Sequence, residues 1–141
     1  MYKNLDLDLG QISTIFFDVD GIFTDGSLYF MDNGSSMTKF NVYDGMGCIL
    51  LEEAGLELLI LTARHSDAVV KRFKELGITK IFTKVLKKRD FIKDYLKSHD
   101  LAKHEVAFMG DDLQDLAAIN EVGVFFPSSN AIEKDIESAH Y

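Results

Sequence analysis

The chain is organised around residues 15–26, which read Ile15-Phe16-Phe17-Asp18-Val19-Asp20-Gly21-Ile22-Phe23-Thr24-Asp25-Gly26. An apolar run of β-branched and aromatic residues is typical of a buried strand, and here it leads directly into Asp18 and Asp20. Carboxylates are costly to remove from water unless something binds them, and two like charges held this close require a cation or a shared proton. The stretch therefore predicts a cation-binding site where a buried strand ends.

The composition indicates a globular chain, and we expect residues 1–141 to form a single domain. The net charge of −8 argues against a nucleic-acid-binding protein, which would carry a basic patch. The single cysteine, Cys48, excludes a disulfide within the chain and fits a reducing compartment, where it is expected to be a small core residue. The N-terminus lacks the apolar core of a signal peptide, and no apolar run approaches the ~20 residues that span a bilayer. We therefore expect a cytoplasmic protein that binds neither nucleic acid nor membrane.

Strand-like and helix-like segments alternate along the chain, which predicts an α/β fold with a Rossmann-like parallel sheet and helices on both faces, in three α/β/α layers. Predicted strands cover 12–17, 56–61, 78–83, 106–109 and 123–126, and predicted helices cover 44–54, 66–76, 88–98 and 112–119, with a terminal helix capped by Asn130. Asn33-Gly34 lies between two strand-like runs, 27–31 and 35–42, and predicts a β-hairpin inserted after the first strand.

Polar side chains follow three of the predicted strands at the point where each strand ends. Asp18 and Asp20 follow the first strand, Thr62 follows the second, and Asp111 and Asp112 follow the fourth. In parallel α/β sheets, ligands bind beyond the carboxyl ends of the strands. The sequence therefore predicts one site at that edge of the sheet.

These residue types fit magnesium-assisted phosphotransfer. A carboxylate such as Asp18 can attack phosphorus and form an acyl-phosphate, which splits one difficult displacement into two easier steps. Mg²⁺ would neutralise the charge on phosphate, and Asp18 and Asp111 could supply its carboxylate ligands. Asp20, two residues further along, could protonate the leaving alcohol and then deprotonate the hydrolytic water.

The phosphate would need donors and positive charge as well. Thr62 offers a hydroxyl group, and either Lys87 or Lys88, both at the start of a predicted helix, offers an ammonium group. Asp115 shares a helix face with the preceding acidic pair and is expected to act behind the metal ligands. Asp112 is equally compatible with a helix N-cap and with a supporting role at the site.

The order of these motifs resembles the haloacid dehalogenase superfamily of aspartate-nucleophile phosphatases, in particular its small capless branch typified by 3-deoxy-manno-octulosonate 8-phosphate phosphatases. The matching segments are Asp18-x-Asp20-Gly-x-x-Thr24-Asp25-Gly26, the hairpin, Lys39–Gly45, Leu61-Thr62-Ala63-Arg64-x-Ser66 and Gly110-Asp111-Asp112-Leu113-x-Asp115-Leu116. The resemblance implies that the chain has no cap domain and acts on a phosphorylated sugar acid.

The resemblance also implies roles for individual residues. Asp18 would be the nucleophile and Asp20 the acid/base, and Mg²⁺ would be bound by Asp18, the backbone carbonyl of Asp20 and Asp111. Thr62 and Lys88 would be phosphate ligands, with Lys88 matching the family spacing better than its neighbour. A homotetramer is implied too, in which the hairpins pack together and a neighbouring subunit helps to close each site.

Arg64 and Gly45 are expected to contact the substrate, and Arg64 favours an anionic sugar acid over a neutral sugar. Three departures from the family pattern bear on substrate capture. Ala63 replaces a glycine, residues 83–87 differ from the Gln-Gly-x-x-Asp that ordinarily precedes the lysine, and the sequence ends at Tyr141, before the glycine-rich segment that carries an arginine in the family.

Three other functions remain open at this level. A phosphatase of nonulosonic acid 9-phosphates would use the same centre. A regulatory phosphatase-like domain, related to those attached to acylneuraminate cytidylyltransferases, would not need the intact acidic set. A signalling receiver domain would keep its acidic residues adjacent after the first strand, whereas Asp18 and Asp20 are separated here.

Overall fold

The computed structural model describes residues 8–111, 115 and 117–128, and these residues contain a five-stranded parallel sheet. The strands are β1 (Thr14–Phe17), β2 (Tyr29–Phe30), β3 (Ser36–Met37), β4 (Glu57–Leu61), β5 (Ile81–Phe82), β6 (Val106–Gly110) and β7 (Val124–Pro127), and the helices are α1 (Val42–Glu53), α2 (Asp67–Glu75) and α3 (Lys88–Ser98). The sheet order is β5-β4-β1-β6-β7. Phe17 at the end of β1 pairs with Ile60 of β4 and with Met109 of β6, so the carboxyl ends of these three strands are level.

Two apolar cores cover the two faces of the sheet. Cys48 of α1 and Phe73 of α2 pack against one face, which includes Phe17. Ile92 of α3 packs against the other face, which includes Phe16. Alternate residues of β1 thus enter opposite cores, as the strand period requires. The predicted three-layer α/β/α arrangement with a parallel sheet is confirmed.

The predicted hairpin is present between β1 and α1, where Tyr29 of β2 pairs with Met37 of β3. The turn contains Gly34 at φ 83, and the Asn33 side chain accepts a hydrogen bond from Ser35 N at 3.0 Å. Each strand has only two residues, fewer than predicted, and all four are exposed. The hairpin forms a two-stranded sheet of its own, and within the described part of the chain no further strand pairs with it.

Helix α1 begins at Val42, two residues before the predicted start. Asn41 is its N-cap, and the Asn41 side chain accepts a hydrogen bond from Tyr43 N at 2.9 Å. The prediction that the second strand-like run extends to residue 42 is therefore wrong at its C-terminal end. The helix starts there instead, because the Asn41 side chain satisfies a free N–H group of the first helical turn.

Strand β5 is also shorter than its predicted range, 78–83. Helix α2 ends before Gly77, which has φ 89, and Ile78 N donates to Phe73 O at 3.0 Å, so Ile78 closes that helix. Four of the eight residues of the predicted helix over 112–119 fall outside the described ones, residues 117–118 form a turn, and a 3-10 helix covers Ile119–Glu121. The helix expected after Asn130 falls outside the described residues entirely. Among the helices that the structure does describe, none combines the length and apolar character needed to cross a membrane.

Candidate functional site

The level ends of β1, β4 and β6 border an open cleft of about 380 Å³. The lining brings together residues from several elements, among them predicted site residues that lie far apart in the sequence: Asp18, Asp20, Gly26, Leu28, Thr62, Ala63, Arg64, Lys88 and Asp111. The parallel register explains this meeting, because residues that follow paired strands emerge at the same edge of the sheet.

A buried ion cluster lies at the floor of the cleft. Lys88 Nζ is 3.0 Å from Asp18 Oδ1 and 2.6 Å from Asp115 Oδ1, and the side-chain exposures of these residues are 2%, 6% and 0%. Lys88 is the first residue of α3, so the helix start delivers its ammonium group between the two carboxylates. Because these side chains are buried, an unpaired charge among them would be costly, and each charged group is stabilised by its partners.

Burial raises the pKa of Asp18 to about 7, and the negative charge of Asp115 adds to the rise. The attraction of Lys88 opposes this rise without cancelling it. For Lys88, burial by itself lowers the pKa, yet the two carboxylates outweigh burial and hold the pKa of the ammonium above its ordinary value. Near neutral pH, a further cation is needed to keep Asp18 fully ionised.

The carboxylates at this floor form a donor set for a hard cation. Within the described residues, one oxygen each of Asp18, Asp111 and Asp115 lie within 4.8 Å of one another. Gly21 has φ 81, and a Cβ there would overlap the Asp111 carboxylate, so the glycine leaves the space that Asp111 occupies. The Lys88 ammonium pairs with two of these carboxylates, those of Asp18 and Asp115. Hard carboxylate oxygens held this close together fit Mg²⁺.

The remaining polar groups lie on the wall of the cleft. Arg64 Nη1 is 3.4 Å from Asp20 Oδ1, and both side chains are partly exposed. Thr62 is buried, and its Oγ1 accepts a hydrogen bond from Arg64 N at 3.3 Å. The Thr62 hydroxyl acts as the acceptor in this bond, so its own proton can be donated to a bound anion.

Other predicted site residues lie elsewhere. Lys87 is exposed at the N-cap of α3, whereas Lys88 is in the buried cluster. Gly45 is buried in α1, where a Cβ would lie 2.5 Å from Arg72 Nη2, so its absence lets α1 approach α2. Gly45 is not part of the cleft lining. Asp112 falls outside the described residues.

Two lining residues, Gly26 and Leu28, were not predicted from the sequence. Both precede β2, and Gly26 has φ 80, which turns the chain towards the hairpin. The Thr24-Asp25-Gly26 segment entered the sequence analysis only as part of the family resemblance, and no periodicity indicated that Leu28 would line the cleft. Sequence reasoning also placed Asp115 behind the metal ligands without indicating its complete burial or its hydrogen bond from Asp111 N at 2.9 Å.

Aspartates, a lysine and a threonine that meet at the carboxyl ends of a parallel sheet provide the groups that metal-assisted phosphate transfer requires. Residues 27–127 match the family model described as haloacid dehalogenase-like hydrolase. The chain belongs to this family. The family resemblance given by the motifs is thereby confirmed.

Two more particular relatives are named as phosphatases of one sugar acid, and a third is named only as a hydrolase of the same superfamily. The chain is 33% identical to the 3-deoxy-D-manno-octulosonate 8-phosphate phosphatase of Haemophilus influenzae over 123 residues, which cover 87% of this chain and 68% of that protein. It is 34% identical to a structure of the same phosphatase from Moraxella catarrhalis in complex with magnesium ion, phosphate ion and KDO, with a TM-score of 0.88 over 93% of this chain and 75% of that one. A subfamily III A hydrolase from Legionella pneumophila is 36% identical, with a TM-score of 0.87 over 92% and 71%.

Proposed function

We propose that the protein is a Mg²⁺-dependent phosphomonoester hydrolase whose substrate is 3-deoxy-D-manno-octulosonate 8-phosphate or a closely similar phosphorylated sugar acid. The observation that carries the proposal is the ion pair of Asp18 with Lys88 at the end of the central strand, two residues before Asp20. In the proposed reaction, these residues would act as the nucleophile, a cationic phosphate ligand and the acid/base, all within one cleft. The names of the Haemophilus and Moraxella relatives support the choice of substrate.

The proposed reaction has two displacements at phosphorus. A carboxylate oxygen of Asp18 attacks phosphorus and forms an acyl-phosphate while the bond between phosphorus and the sugar oxygen breaks. Protonated Asp20 gives its proton to that oxygen, so the sugar leaves as an alcohol. Asp20 then takes a proton from water as the water oxygen attacks phosphorus, and the release of inorganic phosphate restores the Asp18 carboxylate.

The other residues of the cleft bind and orient the phosphate. Asp18 and Asp111 would hold Mg²⁺, and the family pattern adds the backbone carbonyl of Asp20. When bound, Mg²⁺ supplies positive charge that neutralises phosphate oxygens and keeps the carboxylates ionised. Lys88 contributes a fixed, buried positive charge, and the Thr62 hydroxyl donates a hydrogen bond to a phosphate oxygen.

Arg64 is proposed to recognise the carboxylate of the sugar acid. A guanidinium group binds a carboxylate in a bidentate manner, and Arg64 lies on the wall of the cleft with almost half of its side chain exposed. In the structure it pairs with Asp20. Its movement to the substrate carboxylate would free Asp20 for proton transfer, so that substrate binding prepares the acid.

The experiment that tests the function is phosphate release from a panel of sugar phosphates with Mg²⁺, using wild-type protein and the Asp18→Asn variant. We expect turnover of the octulosonate 8-phosphate and a loss of at least about 10³-fold in the variant. Asp94→Asn, an exposed carboxylate of α3, is the matched control and should leave the rate unchanged. Turnover that persists in Asp18→Asn would refute the nucleophile, and faster turnover of nonulosonic acid 9-phosphates would assign the substrate to that class.

We also propose that the protein forms a homotetramer through its hairpins, with a neighbouring subunit closing each cleft. The hairpin and the first turn of α1 expose large apolar side chains, including Phe30 at 70% and Tyr43 at 81%. Such surfaces are typical of protein interfaces. Sedimentation velocity should give a tetramer, and Phe30→Asp should shift it to smaller species, whereas a wild-type monomer at micromolar concentration would contradict the assembly.

Finally, we propose that residues 1–141 act as one catalytic domain in the cytoplasm. The support for one domain is the single five-stranded sheet of the described residues, and the support for the location is the use of only one cysteine, Cys48, which fits a reducing compartment. Fractionation of cells that express the protein should place the phosphatase activity in the cytoplasmic fraction. Recovery of the activity in a periplasmic or extracellular fraction would contradict this location.

A further inference from the structure

Two loops carry the proposed phosphate ligands, and they lie side by side at the edge of the sheet. The loop after β4 (residues 62–66, loop A) carries Thr62, and the loop after β5 (residues 83–87, loop B) leads into Lys88. Thr62 N donates to Phe82 O, at the end of β5, at 3.0 Å, and one backbone hydrogen bond joins the two loops, from Val85 N to Thr62 O at 3.1 Å. The position of the threonine hydroxyl relative to the lysine therefore depends on how these loops are held together.

His65 joins the same loops through its side chain. Its Nδ1 is 3.1 Å from Thr83 Oγ1 in loop B, and its Nε2 is 3.2 Å from Asp67 Oδ1 at the start of α2. Which of His65 Nδ1 and Thr83 Oγ1 donates the hydrogen bond depends on the tautomer of the ring, and the Thr83 hydroxyl can serve in either role.

Loop B also contains a backbone conformation that needs support. Lys84 has φ 61, which is a left-handed conformation that residues with a Cβ rarely adopt. Such conformations persist where the surrounding structure holds them, and they cluster at functional sites. Lys84 lies between Thr83, which contacts His65, and Val85, which donates to Thr62 O, so loop A holds both sides of the strained residue.

We propose that His65 is a positioning residue that acts through Thr83, fixing loop B against loop A so that Thr62 and Lys88 face the same phosphate. This inference rests on the proposed function for its consequence, although the link between the loops is a feature of the fold. His65 itself is outside the lining of the cleft and touches no reacting group. Losing the link should weaken phosphate binding equally in the ground and transition states, which raises KM and leaves kcat nearly unchanged.

The test uses variants that separate the link from the bulk of the side chains. Thr83→Val removes the hydroxyl with little change of shape, Thr83→Ser keeps the hydroxyl, and His65→Ala removes the ring. His104→Ala, an exposed histidine in the turn before β6, is the matched control. Three quantities are measured: amide exchange of Val85 by NMR, the Kd of inorganic phosphate by calorimetry in Mg²⁺, and KM with kcat for the sugar phosphate.

We expect His65→Ala and Thr83→Val each to increase the exchange rate of Val85 and the phosphate Kd by about three- to tenfold, the usual effect of losing one hydrogen bond. The double variant should be no worse than either single variant, because both remove the same link. Thr83→Ser and His104→Ala should match the wild type.

Two results would overturn the proposal. One is unchanged Val85 exchange and phosphate affinity in both His65→Ala and Thr83→Val. The other is a loss in His65→Ala that Thr83→Val does not reproduce, because His65 would then act without Thr83. Amide exchange needs no turnover, so the link is tested even where the panel of sugar phosphates gives no product, and that outcome would count against the proposed function alone.

Discussion

Replacing Lys88 with methionine should cost more stability than any other lysine substitution in the described residues. The Lys88 ammonium is 3.0 Å from Asp18 Oδ1 and 2.6 Å from Asp115 Oδ1, and its side chain is 2% exposed. Methionine fills much of the same volume but leaves two carboxylates without their cation. Removing one partner of a buried ion pair costs about 3–5 kcal/mol. With an m-value of about 2 kcal/mol per molar urea, the midpoint should fall by about 2 M.

The loss should depend on pH in a defined direction. Burial already raises the pKa of Asp18 to about 7, from an ordinary value of 3.8, so the folded state binds a proton that the unfolded state releases between these values. Without the Lys88 ammonium, the pKa of Asp18 rises further, and protonation relieves the uncompensated charge. The destabilisation relative to wild type should therefore be largest at pH 8 and clearly smaller at pH 5.

The assay is urea unfolding followed by circular dichroism at pH 5 and pH 8, in EDTA and again in Mg²⁺. Lys87→Met is the matched control, since Lys87 is the adjacent residue and is exposed. It should shift the midpoint very little at either pH. Equal losses in the Lys87 and Lys88 variants, or a Lys88→Met loss independent of pH, would refute the reasoning that a buried charge cluster underlies the site.

Three further predictions concern other positions. Gly21→Ala should lower the Mg²⁺ affinity measured by calorimetry by at least about tenfold, because the new Cβ would overlap the Asp111 carboxylate. Gly26→Ala is the control, since Gly26 has a similar φ with open space around it, and it should leave the affinity unchanged. Equal losses in the two variants would exclude the overlap as the cause. Lys84→Gly should raise Tm by about 2–4 °C in calorimetric scans by relieving the left-handed backbone at φ 61, whereas a lower Tm would show that the side chain stabilises loop B. Burial raises the pKa of the Cys48 thiol to about 11, so a thiol reagent at pH 8 should label it only after unfolding, and rapid labelling of the native protein would contradict this.

The parts of the fold that could be predicted are those decided by local pattern. Helix α3 occupies Lys88–Ser98 as predicted, because its apolar residues recur at helical spacing. The start of α1 could not be predicted in the same way. Asn41 continues a strand-like run and is also a good N-cap, and only the folded chain, in which it accepts from Tyr43 N, decides between the two.

For the site, the sequence indicated which residues come together but not how they interact. Asp18, Asp111 and Thr62 could be predicted as neighbours because each follows a strand of one parallel sheet. Distances across the sheet cannot be derived from spacing along the chain, so the contact of Arg64 with Asp20 was not foreseen. The same limitation applies to motif residues that are required for packing, such as Gly45 within α1. A glycine has no side chain whose chemistry could indicate its role.

The burial of Asp18 gives a physical reason for dependence on a metal ion. A carboxylate nucleophile is more reactive out of water, but the same desolvation raises its pKa to about 7 and favours the unreactive protonated form. Lys88 opposes this effect without cancelling it, and part of its charge is shared with Asp115. A second cation beside Asp18 would allow the proposed nucleophile to be both buried and ionised. Asp111 lies where it can hold that cation. The ion should bind the folded chain and not the unfolded chain. Its binding should therefore raise the free energy of unfolding.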